Sequence, residues 1–444
     1  VTVALRPMNN DGSVFIQIAA YRDPELVPTV LDCLAKAKNP DKLRIGICWQ
    51  YAEGDSIAQI AHLPQVRFIA VPYHESKGAC WARAIASELY EDQEFYMQID
   101  SHHRFDEHWD AKIIAMLIGL ESDGVKKPLL TSYPPSYDPK NDPAGRAHGG
   151  IQIDFHVFSE SSVWFTGSSQ IKNWNSLTKP IRGRFFAGGF AFARGSFVRE
   201  VPNDPGYYFQ GEEMNMSFRA FSHGYDIYHP HQPVVWHQYY RHEIPKHWKD
   251  HVPNPEERDQ KKITWEKLNQ ESYKRIKHFF SFAGYRYEDI EWGKFGRGTA
   301  RTLRDFELFC GIDFRQKRIT KNCLDKGEPL ASWDRNMPDE EWNKLLLHMY
   351  EHTIELMPGT LTLDDYDFIY VGYERADGTS IYNINLKDDA LKALLTALQQ
   401  PNVSYPLVTR FFSDQMPHKW VFWPHSKSRK WIGRISGHLP RIVH

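Results

Sequence analysis

The first third of the chain alternates short apolar runs with amphipathic segments, and that order restricts it to few architectures. Val14-Phe15-Ile16-Gln17-Ile18-Ala19 reads as a buried strand. Pro24 to Lys38 reads as a helix, with Val27, Val30, Leu31 and Leu34 on one face at helical spacing. Asp23 ahead of Pro24 predicts an N-cap with proline at the first helical position. Further strands are predicted over Arg44 to Trp49, Val66 to Val71 and Phe95 to Asp100, and a helix over Gly78 to Tyr90 with Trp81, Ile85 and Leu89 along one stripe. Parallel neighbours need a crossover, and crossover helices cover the sheet. The expectation is an α/β fold, a mostly parallel sheet with helices on both faces.

The strand Phe95-Tyr96-Met97-Gln98-Ile99 stops at Asp100-Ser101-His102. In open α/β sheets the carboxyl ends of strands are where ligands bind. A hard oxygen and a borderline nitrogen one residue apart suit manganese or a similar divalent ion better than calcium. Such an ion could bridge to a diphosphate and absorb the charge of a departing nucleotide, a Lewis-acid effect worth several kcal/mol. A turn cap at Asp100 with two solvated histidines, His102 and His103, is the plain alternative. A further ligand should project from a later strand end. His237 fits best, because Val234-Val235-Trp236 ends on it as the earlier run ends on Asp100. His229, His231 and His242 lie nearby and leave the choice open, and a packing role for His237 beside Tyr239 and Tyr240 is the competing reading.

Other segments carry weaker signals. In a nucleotide-sugar enzyme the turn Ala19-Ala20-Tyr21-Arg22-Asp23 would hold base and ribose, with Tyr21 stacking and Arg22 meeting phosphate; an ordinary turn needs no ligand. Gly78 opens a helix whose free N–H groups favour an anion, with Arg83 about a turn later. Gly188-Gly189 would let backbone approach a ligand closely. Glu212-Glu213 after Gly211 could bind sugar hydroxyls, orient an acceptor or act as base, although acidic residues favour the first turn of any helix.

Beyond a helix at Trp109 to Leu120 and a strand at Leu129 to Thr131, residues 133–184 are rich in Pro, Gly, Ser and Asn and predict binding loops. Regularity returns at Phe185 to Arg194, in a helix from Glu212 to His223 closed by Gly224, and in strands at Tyr225 to Tyr228 and Pro233 to His237. Residues 245–320 read as helical and basic-aromatic, and Asp325 to Pro338 as a linker. A different texture follows: an amphipathic helix from Glu340 to Met357, a hairpin of Asp367 to Glu374 with Thr379 to Leu386, a helix from Asp388 to Leu398, and strands at Val408 to Phe412 and Trp420 to Trp423. This predicts two domains, 1–324 and 325–444, the second a smaller α+β or β-rich module.

Composition narrows the partners. Lys and Arg number 54 against 56 Asp and Glu, a formal charge of -2, which gives no reason to expect nucleic acid or an anionic membrane. Cys33, Cys48, Cys80, Cys310 and Cys323 are scattered without a C-x-x-C, which argues for a reducing compartment and against a disulfide framework or structural zinc. No run reaches the roughly 18 to 20 apolar residues of a membrane span. Val1-Thr2-Val3 is no signal peptide, so a soluble, cytoplasmic protein is expected; the missing initiator Met is compatible with a removed N-terminal segment.

Seven segments occur in a telling order: Ile18 to Asp23, Gly78 to Arg83, Gln98 to His102, Tyr133-Pro134-Pro135, Phe186 to Phe190, Gly211-Glu212-Glu213 and Trp236-His237. In this the chain resembles the cytoplasmic glycosyltransferases that place N-acetylglucosamine on hydroxyproline, over about residues 14–320, including Gly298 to Thr302 and Gly311 to Phe314. The Asp-Ser-His tripeptide with a distal histidine is also similar to the metal site of the mucin-type polypeptide N-acetylgalactosaminyltransferases. The resemblance implies a GT-A (Rossmann-like) fold, a UDP-GlcNAc donor, manganese (magnesium as the alternative) and retention at the anomeric carbon. It implies metal ligands Asp100, His102 and His237; nucleotide-sugar contacts from Ala20, Tyr21, Arg22, Arg83, Gln98, Asp100, Ser101, Gly188 and Gly189; and Glu212 and Glu213 on the catalytic sugar side. The acceptor would be a protein hydroxyl (hydroxyproline, Ser or Thr), and a homo-oligomer is compatible with this reading. Rivals are a UDP-GalNAc or UDP-glucose transferase acting on a glycan, a metal-dependent phosphoesterase, and a non-catalytic sugar-binding protein. Residues 325–444 lie outside the resemblance and are expected to bind acceptor or a second subunit.

Overall fold

The computed structural model describes residues 10–252, 264–361, 365–399 and 404–439. They group into two compact units, residues 1–315 with 325–336, and residues 316–324 with 337–444.

In the first unit the strands are β1 (Val14–Tyr21), β2 (Leu43–Tyr51), β3 (Val66–Pro72), β4 (Phe95–Asp100), β5 (His103–Phe105), β6 (Pro128–Thr131), β7 (Ile151–Phe158), β8 (Trp164–Gln170), β9 (Ile181–Arg182), β10 (Phe190–Arg194), β11 (Asp226–His229), β12 (Val235–His237) and β13 (Ile312–Asp313). Its helices are α1 (Leu26–Lys36), α2 (Ala58–Ala61), α3 (Ala79–Ser87), α4 (Trp109–Ser122), α5 (Phe197–Glu200), α6 (Glu212–Ser222), α7 (His247–Asp250), α8 (Trp265–Phe280) and α9 (Leu303–Cys310). Eight strands form one sheet in the order β3-β2-β1-β4-β10-β6-β11-β9. Pairings among β3, β2, β1 and β4, and of β11 with β6, are parallel; β10 runs antiparallel between β4 and β6, and β9 antiparallel to β11. The α/β expectation is met, with a mostly parallel sheet flanked by helices.

Core formation follows the apolar runs. Ile16, Ile18, Ile45, Ile47, Met97 and Ile99 pack with Val30 of α1 and Trp109, Ile113 and Leu117 of α4 in one layer. Phe15, Tyr96, Ala191 and Ala193 pack with Met216 and Ala220 of α6 in the other. Because both faces are covered, β1 and β4 are buried along nearly their whole length.

Several expectations give way. Helix α1 begins at Leu26, and its N-cap is Glu25 rather than Asp23, whose Oδ1 accepts from the Glu25 N–H at 3.0 Å while Oδ2 faces His102 and Arg241. The loose segment 133–184 contains the antiparallel hairpin β7–β8, whose cross-strand pairing compensates for its polar composition. The strand that carries His237 lies outside the main sheet and pairs with β5. Of the helical reading for 245–320, α7, α8 and α9 are present, and residues 253–263 lie outside the described residues.

The second unit holds β14 (Arg318–Thr320), α10 (Lys321–Leu324), α11 (Asp339–Leu345), β15 (Leu346–Leu356), β16 (Tyr366–Glu374), β17 (Ser380–Leu386), α12 (Asp388–Leu398), β18 (Tyr405–Ser413), β19 (Lys419–Ser426), β20 (Lys430–Trp431) and β21 (Ile435–His438). Strand β15 pairs antiparallel with β14 and β18; β16 lies between β17 and β19, and β19 also pairs with β20 and β21. The helix expected from Glu340 to Met357 is correct only to Leu345. From Leu346 onward pairing with β14 and then, over residues 348–356, a nine-residue ladder with β18 override local helix propensity. Ile354, Ile369, Val371, Tyr373, Leu394 and Phe422 form this unit's own core. Among the described residues no helix is long and apolar enough to cross a membrane.

Candidate functional site

Asp100 ends β4 at the carboxyl edge of the sheet, and the chain turns at Ser101-His102 into β5. Pairing of β5 with β12 sets His237 opposite His103. The ladder brings the His237 ring centroid to 4.6 Å from that of His102, and its Nε2 to 3.3 Å from Asp100 Oδ2. Asp100, His102 and His237 each offer a ligand atom, and the three atoms lie within 4.8 Å of one another. His229, by contrast, is committed elsewhere: its ring nitrogens meet the Thr131 carbonyl at 2.7 Å and the Ile153 N–H at 3.3 Å.

The surroundings fit a metal ion. His102 Nδ1 lies 2.8 Å from Asp23 Oδ2, so this carboxylate fixes the ring and leaves Nε2 turned to the cluster. Such an outer carboxylate is the usual partner of a metal-bound imidazole. Ser101 donates to the same Asp23 oxygen at 2.5 Å, and Arg241 pairs with it at 2.7 Å. Arg241 Nη1 also stands 3.2 Å from His102 Nε2 and would have to yield that nitrogen to an ion. His237 Nδ1 is buried without a partner. Burial by itself would raise the Asp100 carboxyl, but the His237 hydrogen bond and the Arg83 and histidine charges outweigh it and hold Asp100 well below the usual carboxylate range. Burial pushes the His237 imidazole down, toward the neutral form that ligates.

A second layer joins α3 to α6. Gly78 (φ 104°) starts α3 where a Cβ would fall 2.5 Å from the Tyr208 ring. One turn on, Arg83 is buried, and its guanidinium binds Glu212 Oε2 at 2.5 Å and Asp100 Oδ1 at 2.8 Å. Glu212 and Glu213 open α6 after Gly211, which takes φ 95°. The Gly188 N–H donates to Glu213 Oε1 at 2.9 Å, and the Tyr133 hydroxyl donates to Oε2 at 2.5 Å. Burial raises the Glu213 carboxyl to about 7 in spite of these two donors. A Cβ on Gly188 would fall 2.6 Å from Glu212 Oε2, and one on Gly189 3.1 Å from Asp100 Oδ2.

Two cavities meet at this cluster. One, of about 400 Å³, has Tyr133, Trp164, Gly188, Gly189, Glu212 and Glu213 in its wall. The other, of about 310 Å³, is lined in part by Ala19, Tyr21, Gln50, Ser101, His102 and Lys246. Arg83, Asp100, Phe209, His237 and Tyr239 border both. With a divalent ion at the cluster, a ligand with an anionic centre and two unlike arms would fit this layout.

The remaining expected residues take varied positions. Tyr21 lines the smaller cavity, and its hydroxyl donates to Asp250 of α7 at 2.8 Å. Arg22 also pairs with Asp250, at 2.9 Å, and lies over the Tyr73 ring. Ala20 is buried, and its carbonyl accepts from Gln50 at 3.2 Å. Gln98 is buried beneath the site, donating to the Gly188 carbonyl at 2.6 Å. Sequence reading missed Gln50, Tyr208, Arg241, Lys246 and His247, which line the smaller cavity. Arg241 and Lys246 carried one available signal, two cations within ten residues of a candidate ligand. The shapes of the turns that bring them back carried none.

A family model described as Glycosyltransferase (GlcNAc) matches residues 13–65 and 59–316. Among solved structures, GalNAc-T7 with UDP, GalNAc and Mn2+ is similar at 16% identity and a TM-score of 0.39, over 51% of this chain and 44% of that chain. TarS 1-349 of S. aureus in complex with UDP-GlcNAc is similar at 12% identity and a TM-score of 0.33, over 55% of this chain and 62% of that chain. The likeness thus spans less than two thirds of either structure's own length. No curated protein matches the chain.

Proposed function

Because the chain belongs to the Glycosyltransferase (GlcNAc) family, we propose that it moves N-acetylglucosamine from UDP-GlcNAc, with retention at the anomeric carbon, to a hydroxyl of a protein acceptor. The observation that carries this reading is the shared wall of the two cavities, where Asp100 and His237 stand between a space of about 310 Å³ on the Tyr21 side and one of about 400 Å³ on the Gly188-Gly189 side. In this reading uridine occupies the smaller cavity against Tyr21, and the diphosphate lies at the Asp100, His102 and His237 cluster. The sugar faces Gly188, Gly189 and Glu212.

The residues divide the work as follows. Asp100, His102 and His237 would hold a divalent ion, manganese by preference, which would supply Lewis-acid neutralisation of the charge on a departing diphosphate. Arg241 and Lys246, both on the smaller cavity, supply further positive charge to the phosphates. The Arg83 bridge keeps Glu212 and Asp100 at fixed spacing, so the sugar side and the phosphate side are positioned together. The bond from the anomeric carbon to the β-phosphate oxygen breaks, its electron pair leaves on UDP, and the acceptor oxygen bonds to the same face. The acceptor's proton passes to the leaving phosphate oxygen, so neither Glu212 nor Glu213 need act as base. The five cysteines, all buried thiols in the reducing setting read from the sequence, suit a cytoplasmic enzyme.

The test is UDP release from a panel of UDP-sugars with manganese, with and without chelator. Chelator-sensitive turnover with preference for UDP-GlcNAc is expected, and no turnover of any donor sinks the enzyme reading. His237→Ala should abolish metal-dependent UDP binding without loss of fold; unchanged binding would move the ligand to another residue.

A further inference from the structure

The second unit carries an aromatic surface that the transferase chemistry does not use. Its core lies on one face of the β17-β16-β19 sheet, where Ile369, Val371 and Phe422 point inward. On the other face Phe368 stands opposite His425, Tyr370 opposite Trp423, and His425 opposite Trp431 of β20. Trp431 is the centre of this group. Its ring centroid lies 4.5 Å from Trp423, 5.1 Å from His425, 5.4 Å from Phe368 and 6.3 Å from Tyr370. A Cβ on Gly372 would fall 2.5 Å from the Tyr370 ring, so this glycine lets the phenol lie down along the sheet.

The border of the surface is polar and balanced. Lys387 Nζ lies 5.3 Å from the Phe368 ring centroid, and the Arg434 guanidinium 5.1 Å from that of Trp423. Arg434 pairs with Glu374 at 3.2 Å, and Asp367 stands 3.3 Å from His425. Asn385, exposed on β17, pairs across from Tyr370. Two cations offset two carboxylates, which disfavours a strongly charged ligand of either sign. Size also discriminates. Trp431 is 43% exposed and the rings around it are half-buried, a far smaller apolar area than the roughly 800 Å² per partner of a stable protein interface. A few rigid rings edged by amide, carboxylate and guanidinium match instead a neutral ring that has an apolar C–H face and hydroxyls at its edge.

We propose that this face of the second unit is a binding site for a neutral glycan, taking one or two pyranose rings on Trp431 and Trp423, with hydroxyls met by Asn385, Asp367 and Arg434. The site lies within the second unit and does not depend on the transferase reading.

The full chain is titrated with the tetrasaccharides chitotetraose, cellotetraose and maltotetraose, without UDP or metal, and followed by calorimetry and tryptophan fluorescence. Wild type is expected to bind at least one of them. Trp431→Ala should weaken that binding by about tenfold or more, while Trp431→Tyr, which keeps a ring, should retain most of it. Asn385→Ala, at an exposed position, should give a smaller loss. Circular dichroism melting and UDP release from donor should stay at wild-type values in all three variants. Absence of binding to every tetrasaccharide, or equal binding by wild type and Trp431→Ala, overturns the proposal. Self-association of wild type in sedimentation, lost in Trp431→Ala, would make the face an interface between copies and overturn it equally. Glycan binding without donor turnover would sink the transferase reading alone.

Discussion

Glu213 shows how one position can be decided by opposing terms. Burial lifts its carboxyl from an ordinary 4.5 to about 7, against hydrogen bonds from Tyr133 and Gly188. A carboxyl raised on folding contributes stability that is complete below its unfolded pKa and is lost as pH rises through the folded one. For Glu213 the window runs from about 4.5 to about 7. At 1.36 kcal/mol per unit, the loss across it is up to about 3 kcal/mol. Glu307, also raised to about 7 by burial and by Asp313, contributes in the same window. The quantity to measure is therefore a difference: urea unfolding of wild type and Glu213→Gln at pH 5, 6, 7 and 8. Wild type should lose stability relative to the variant as pH rises, and parallel curves would remove the buried-carboxyl account. The same residue has a chemical consequence. Tyr133 lies 2.7 Å from Thr166 and 2.5 Å from Glu213, so when Glu213 takes a proton the Tyr133 hydroxyl has Thr166 as the alternative acceptor for its own.

At the scale of elements, the proposed function rests on two junctions. The β5–β12 ladder selects His237, and the contact of α3 with α6 through Arg83 and Glu212 ties the two cavities together. Glycines permit the second junction. In Gly188→Ala the new methyl would meet Glu212 Oε2 at 2.6 Å and Arg83 Nη1 at 2.8 Å. Overpacking of this kind costs about 1–3 kcal/mol, and here it also parts a buried ion pair. The expected result is a lower urea midpoint together with at least about a tenfold loss of donor turnover, since a displacement near 1 Å in a positioned site already costs more than that. Gly119→Ala in α4 is the control: its Cβ meets nothing within 4 Å, and removing a helix-interior glycine should stabilise by about 0.5–1 kcal/mol. A wild-type midpoint and turnover in Gly188→Ala would show that the junction tolerates more than its geometry implies.

For the whole molecule, ligand binding and stability are linked. An ion held by Asp100, His102 and His237 joins β4 and the turn that follows it to β12, with His237 lying 137 positions beyond Asp100. Binding to the native state alone stabilises it by about 2.7 kcal/mol when free metal is 100 times its dissociation constant. Manganese should therefore raise the unfolding temperature over a chelator-treated sample, and His237→Ala should abolish the increment. An equal shift in the variant would place the ion elsewhere.

The sequence alone specified those features that depend on neighbours along the chain. Apolar periodicity at 14–19, 44–49 and 95–100 marked the parallel strands, because burial on both faces demands continuous hydrophobic runs. The stop at Asp100-Ser101-His102 marked the strand end at which Asp100, His102 and His237 meet. Other features depend on contacts that the local sequence does not encode. The sequence favours His237 as the distal histidine but leaves His229 open; the register of β12 against β5 delivers His237 to Asp100, while the Thr131 carbonyl engages His229. Asp23 reads as a helix cap, and only the approach of His102 and Arg241 from far along the chain turns it into the buried carboxylate behind the cluster. Leu346–Leu356 reads as helix until β18 supplies a partner strand, because the hydrogen bonds that stabilise a strand come from another segment of the chain. Tertiary structure likewise set Arg83 between two carboxylates and left Trp431 exposed beside a partly buried Trp423.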